Sequence, residues 1–190
     1  MDQYHVALFV GIVVWGALEA WVLLRDVMCE ADGEAEDRGS KVLLMGTITA
    51  ACVMGVSIAL LTFHPIPIHS TIKYGVGFAF ILGGALLRYL SILTLGEFFR
   101  TKVFLHDEHD LVTSGPYKYV RNPAYTGSLL GVIGFALVLN NWVAFILVTS
   151  MAAVGYTWRI YVEQRALIAH FGKRYLKYME HTWALVPFIW

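Results

Sequence analysis

Two parts of the chain bring together residue types that can do chemistry. Arg159 and Glu163 stand four residues apart, so on a helix they share one face. An arginine there can grip a carboxylate through its planar fork, and a glutamate can bind amino or hydroxyl groups of a polar ligand; a plain surface salt bridge is the other reading. The second part is HDLVTSGPYKYVRNPAYTG, His109 to Gly127, dense in Gly, Pro and Tyr. Gly115-Pro116 marks a turn, and Pro123 suits the first turn of a helix with Asn122 extended before it. Such a loop exposes backbone donors and acceptors, and Tyr117, Tyr119 and Tyr125 offer flat faces that could hold a purine ring or a cation such as a sulfonium. The same residues read equally well as an interfacial aromatic belt, with Lys118 and Arg121 answering lipid phosphates.

Other chemistries find little support. HDEHD, His106 to Asp110, has metal-ligating types but is neither a helical H-E-x-x-H nor joined by a cysteine, so no metal site is expected. G-x-G-x-x-G after a strand and the G-K-[ST] phosphate loop are both absent, so any nucleoside cofactor binds outside those frames. G-x-S-x-G is absent too, which argues against a serine hydrolase.

The elements that must position these residues are apolar. Of 190 residues 58% are hydrophobic and only 15% charged, too few charges to wet a soluble surface. Fourteen basic and fourteen acidic residues cancel, which argues against a nucleic-acid partner. Neither Val42 to Ile72 nor Asn122 to Trp158 contains Asp, Glu, Lys or Arg, and each run exceeds the ~20 residues that cross a bilayer. The class expected is an all-α polytopic integral membrane protein with five transmembrane helices, a cytoplasmic loop that is the candidate cofactor-binding loop, and a C-terminal interfacial helix.

The first span is Met1 to Leu24, retained rather than cleaved. The second runs about Val42 to Phe63, stopped by Pro65 and Pro67. The third runs about Tyr74 to Leu95, with Gly83 and Gly84 allowing close helix approach. The 37 residues from Asn122 to Trp158 would make one helix of about 55 Å, so they are expected to fold into a hairpin turning at Asn140-Asn141, its first arm short. The tail from Gln164 to Trp190 mixes aromatics with Lys and Arg, as an interfacial helix does. The chain thus divides into 1–95, three spans, and 96–190, the loop, hairpin and tail that carry the chemistry.

Twelve of the basic residues fall between spans one and two, between three and four, or after five; Lys73 alone falls on the opposite face. The positive-inside rule then puts the N-terminus outside and the C-terminus and the loop Gly96 to Arg121 in the cytoplasm. Glu19 and Arg88 lie within spans, near their cytoplasmic ends, either as an ion pair or snorkelling to headgroups, or as the border of a polar cavity.

The motifs H-x-L-V-T-S-G-P-Y-x-Y-V-R-x-P-x-Y-x-G and E-x-x-x-L/I-x-x-x-F-G-x-x-Y-x-x-Y, ending in P-F-I, resemble the isoprenylcysteine carboxyl methyltransferases and their phospholipid-methyltransferase-like prokaryotic relatives. The likeness covers about Phe98 to Trp190. It implies S-adenosylmethionine as methyl donor, with S-adenosylhomocysteine as product. Its site would be formed by Lys102, His109, Asp110, Leu111, Val112, Gly115, Tyr117, Arg121, Asn122, Pro123, Ala124, Tyr125 and Glu163. It also implies that Arg159 meets the substrate, so that Arg159 and Glu163 carry the catalytic role. The acceptor it implies is the α-carboxylate of an isoprenylated cysteine, a lipophilic substrate reaching the site sideways from the membrane lipids. The protein would lie in the cell membrane of a prokaryote or the endoplasmic reticulum membrane of a eukaryote. Two departures stand out: Asn122 where family members commonly have His, and Gln164 where many have a second Glu. Other readings are a methyltransferase acting on a phospholipid or another small lipophilic amine, an NADPH-dependent lipid reductase, and a non-enzymatic scaffold or transporter.

Overall fold

A computed structural model describes residues 39–96 and 111–188, with isolated helical positions between 6 and 20. The first expected span apart from those positions, Glu19, Lys102, the HDEHD stretch with His109 and Asp110, and the acidic residues before Gly39 lie outside the described residues. The elements are α1 (Ser40–Leu61), α2 (Ser70–Leu95), a 3-10 turn (Gly115–Lys118), α3 (Pro123–Val138), α4 (Trp142–Phe171) and α5 (Lys173–Glu180). Among the described residues the only extended pairing is an isolated parallel bridge between Val120 and Trp183. The fold is all-helical, and α1, α2 and α4 are each long and apolar enough to cross a membrane. The chain is an integral membrane protein by these helices.

Helix ends follow local chemistry. α1 stops where the chain becomes extended at Thr62 and Pro65 and Pro67 follow, since proline lacks the amide a helix needs. α2 starts at Ser70, earlier than the expected Tyr74, so Lys73 lies in its first turn rather than in a loop. The Lys73 ammonium is buried and donates to Asn140 Oδ1 and, at 3.5 Å, to the Ile66 carbonyl. The hairpin expected between Asn122 and Trp158 is present, with its turn at the predicted pair. Asn140 takes φ 52°, a left-handed conformation Asn tolerates. Asn141 caps α4 by accepting from the Val143 and Ala144 amides at 3.0 and 3.2 Å, and its own amide donates to Thr62.

Glycine decides how closely α2 and α3 approach. A Cβ on Gly84 would stand 2.4 Å from the Gly127 carbonyl oxygen, and one on Gly134 would stand 2.4 Å from that of Gly77. The two antiparallel backbones are therefore in contact at two levels, as small residues permit between membrane helices. Gly83, expected to share this role, has nothing within 4 Å and faces away from the contact. On the other side of α3, Val132, Phe135, Ala136 and Leu139 form a core with Ala51 of α1 and Ala144, Val148, Ala152 and Tyr156 of α4. The outer faces carry Leu60, Leu82, Leu86, Ile146 and Val154 exposed, the surface lipid would cover.

α4 is the element that carries charge out of this apolar layer. Its 30 residues measure about 45 Å, more than a ~30 Å hydrocarbon core, and Arg159 comes about 26 Å from its start. The tail differs from the single interfacial helix expected. α4 continues to Phe171, Gly172 turns the chain at φ 54°, and only the eight residues of α5 remain helical. Tyr175 faces inward while Lys173, Arg174, Leu176 and Lys177 are exposed. The residues after α5 return along the 115–126 stretch.

Candidate functional site

One end of the bundle gathers the chemistry. Arg159 is 1% exposed, and its Nη2 stands 2.8 Å from Glu163 Oε1, so the pair predicted from spacing is formed, with the guanidinium buried and the carboxylate half-buried. The Tyr125 hydroxyl joins both: it donates to Glu163 Oε1 at 2.7 Å and accepts from Arg159 Nε at 3.2 Å. Arg159 Nη1 donates to the Ser40 hydroxyl at the start of α1. Tyr125 also stacks obliquely on Tyr156, ring centroids 5.7 Å apart. A buried guanidinium is tolerated only when paired and hydrogen-bonded, and here three elements supply the partners.

Nothing in the sequence pattern pointed to Ser40. It is the residue after a left-handed Gly39 and far from both motifs, and only the packing of α1 on α4 brings it to Arg159. Arg88, at a similar distance along α2, donates to Ser128 Oγ on α3. Its proposed partner Glu19 lies outside the described residues.

The 115–126 stretch is built around a turn. Gly115 takes φ 57°, and a Cβ there would come 3.0 Å from Thr94 Oγ1, so glycine is needed for both conformation and approach to α2. The 3-10 turn closes with the Tyr117 amide donating to the Ser114 carbonyl at 3.1 Å. Tyr117 is buried, and burial, with Tyr125, Tyr178 and Glu163 nearby, pushes its phenol well above the usual range, so it is neutral at physiological pH. Leu111 and Val112 are half-buried and Pro123 is fully buried. Tyr119, by contrast, is exposed with the Lys118 ammonium 5.8 Å over its ring, as an aromatic belt would have it.

Arg121 and Asn122 point their side chains at the C-terminal segment. Arg121 Nη1 donates to the Met179 carbonyl at 3.0 Å and to the Thr182 carbonyl, so the cation lies at the carbonyl end of α5. Burial lowers the Arg121 pKa, with Tyr175 and Tyr178 beside it acting in the opposite direction. The Asn122 amide donates to the Ala184 carbonyl at 2.7 Å and does not cap α3, although Asn is a favoured N-cap. Tyr178 donates to the Tyr117 carbonyl at 2.6 Å. These contacts were not foreseen, because they join residues about sixty positions apart.

A carboxylate, a cluster of phenols and a glycine turn are therefore brought together at this end of the bundle. On the same helix, one position after Glu163 and so on a different face, the Gln164 side-chain nitrogen is buried with no hydrogen-bond partner. An orphan donor of this kind is what a bound polar ligand satisfies. The residues fit an adenosyl cofactor.

Comparisons with known proteins bear on the family. The chain is 34% identical over 116 residues to the protein-S-isoprenylcysteine O-methyltransferase of Xenopus laevis, covering 60% of this chain and 40% of that one. It is 31% identical over 115 residues to protein-S-isoprenylcysteine O-methyltransferase B of Arabidopsis thaliana, covering 60% and 58%. Less than two thirds of either relative is spanned. Among solved structures it is similar to a eukaryotic intramembrane Ras methyltransferase, isoprenylcysteine carboxyl methyltransferase, with TM-score 0.64 and 27% identity over 74% of this chain and 52% of that one. The family model described as phospholipid methyltransferase matches residues 72–174, more than half of the chain, and takes in the Gly-Pro-Tyr turn, Tyr125, Arg159 and Glu163. The chain belongs to the phospholipid methyltransferase family.

Proposed function

We propose that the protein is an S-adenosylmethionine-dependent integral membrane methyltransferase whose acceptor is the α-carboxylate of an isoprenylated cysteine. The observation that carries this reading is the cluster of buried Arg159 with half-buried Glu163 and Tyr125, at the end of the bundle where α4 leaves the apolar layer. Supporting it are the names of the Xenopus laevis and Arabidopsis thaliana relatives, both O-methyltransferases of isoprenylcysteine.

When bound, S-adenosylmethionine supplies an electrophilic methyl group on a sulfonium, which a carboxylate can accept without a general base because it is already ionised at neutral pH. Leu111, Val112, Tyr117, Pro123, Ala124, Tyr125 and Glu163 would hold it, with Lys102, His109 and Asp110 as further proposed contacts. Glu163 offers a carboxylate to its amino or ribose groups, and the tyrosines enclose its adenosine portion. Arg159 orients the acceptor: a substrate carboxylate reaches Nη1 by taking the place of the Ser40 hydroxyl, while Glu163 and Tyr125 keep the guanidinium in its plane. The apolar walls exclude water, which leaves the carboxylate oxygen less solvated.

The loop, the C-terminus and this site face the cytoplasm in this reading, five helices cross the membrane, and the lipid-modified substrate arrives sideways between them. A phospholipid amine is the second acceptor class, favoured by the description of the matching family. Purified protein given labelled S-adenosylmethionine with a short prenylcysteine analogue, and separately with phosphatidylethanolamine vesicles, separates the two. Label in the prenylcysteine as an alkali-labile ester supports the first reading; label only in the lipid overturns it.

A further inference from the structure

We propose that Asn122 is a positioning residue for the methyl-donor site, acting through the C-terminal segment 178–185, which straps the 115–126 stretch in place. The inference rests on the methyltransferase reading above. It gives Asn122 a role other than touching the donor.

Bonds between the two segments run along the whole stretch. Tyr178 donates to the Tyr117 carbonyl at 2.6 Å, Trp183 N–H to the Tyr119 carbonyl at 3.0 Å, and Arg121 N–H to the Trp183 carbonyl at 2.7 Å. The Asn122 side chain donates to the Ala184 carbonyl at 2.7 Å, and the Thr126 hydroxyl donates to the Leu185 carbonyl at 2.6 Å. Every proposed donor-binding residue from Tyr117 to Tyr125 thus lies between bonds to the same strap.

Asn122 is the member that transmits this order inward. It is 8% exposed, and its carbonyl accepts from the Tyr125 and Thr126 amides, both at 3.0 Å, the first bonds of α3. One residue therefore holds the strap with its side chain and the turn carrying Tyr125 with its backbone. Tyr125 in turn meets Arg159 and Glu163. A loop ordered in advance binds its ligand without the entropic cost of ordering it then. Losing the Asn122 side-chain donor should loosen the strap and weaken S-adenosylmethionine binding, while the Asn122 carbonyl, and with it the turn that carries Tyr125 to Arg159 and Glu163, is kept.

The test compares wild type with Asn122→Asp, which keeps the size but turns the donor into an acceptor, and with the milder Tyr178→Phe. Hydrogen exchange over residues 178–185 is measured without ligand, and kcat and KM for S-adenosylmethionine with ligand. Faster exchange, KM raised about tenfold and kcat within about twofold are expected for Asn122→Asp, with a smaller change of the same kind for Tyr178→Phe. A raised KM with unchanged exchange would mean that Asn122 touches the donor itself, and overturns the proposal. Faster exchange with unchanged KM overturns it as well, since the strap then does not shape the site. If wild type fails to bind S-adenosylhomocysteine, the methyltransferase reading falls, while the exchange comparison still reports whether Asn122 holds the strap.

Discussion

Tyr125 donates its phenolic hydrogen to Glu163 across 2.7 Å, tying the first turn of α3 to the far end of α4. The same hydroxyl accepts from Arg159, so one oxygen fixes both members of a buried ion pair. Tyr125→Phe keeps the ring against Tyr156 but leaves the carboxylate and guanidinium each short of a partner. We expect about 1–3 kcal/mol of lost stability, seen as a lower unfolding temperature in detergent; an unchanged temperature would contradict this.

The two charges of that pair are expected to fail differently. Glu163→Gln, close in size, should lose S-adenosylhomocysteine binding by calorimetry, because the amide cannot offer the same charge to the cofactor. Arg159→Ala should retain that binding and lose turnover. Truncating one partner of a buried pair also costs stability, about 3–5 kcal/mol, so both variants need a folding check by circular dichroism. Full turnover by both would end this assignment of roles.

Ser40→Ala tests where the acceptor sits. If the substrate carboxylate replaces the Ser40 hydroxyl on Arg159, removing that hydroxyl removes a competitor. KM for the prenylcysteine analogue should then fall or hold while KM for the methyl donor stays constant. A raised acceptor KM would instead make Ser40 a substrate contact.

Gly84 and Gly83 make a paired control on packing. Gly84→Ala drives a methyl into the Gly127 carbonyl and should cost about 1–3 kcal/mol through separation of α2 and α3; Gly83→Ala, with open space around it, should be close to neutral. Equal unfolding temperatures for the two variants would contradict the crossing described.

Alkaline pH should remove the contribution of Tyr178 to stability. Burial pushes the Tyr178 phenol up to about 12 from an ordinary 10.0, so its folded value lies above its unfolded value. Its contribution to stability is full below about pH 10 and is lost as pH rises toward 12, because the unfolded chain gives up its proton earlier. Wild type should therefore lose stability relative to Tyr178→Phe across that window. A constant difference would contradict it.

How much of this was legible beforehand depended on distance along the chain. The Arg159 and Glu163 pair and the Asn140-Asn141 turn are local, and spacing or turn chemistry was enough to read them. Gly84 was read correctly and Gly83 was not, because composition names a small residue without saying which face of α2 it occupies. Lys73 was read as a loop charge, since nothing nearby shows that Asn140 receives it. The Ser40 contact and the strap bonds from Tyr178 to Leu185 were invisible, as each joins residues that only tertiary packing brings together. The resemblance pointed to Asn122 as a cofactor-site position; the structure adds that its side chain holds the tail.

The central claim is methyl transfer to a prenylcysteine carboxylate through Arg159. Purified protein in lipid nanodiscs, supplied with labelled S-adenosylmethionine and a short prenylcysteine analogue, should yield an alkali-labile methyl ester, and Arg159→Ala should yield none while still binding S-adenosylhomocysteine. No ester from wild type, or equal ester from Arg159→Ala, would contradict the account.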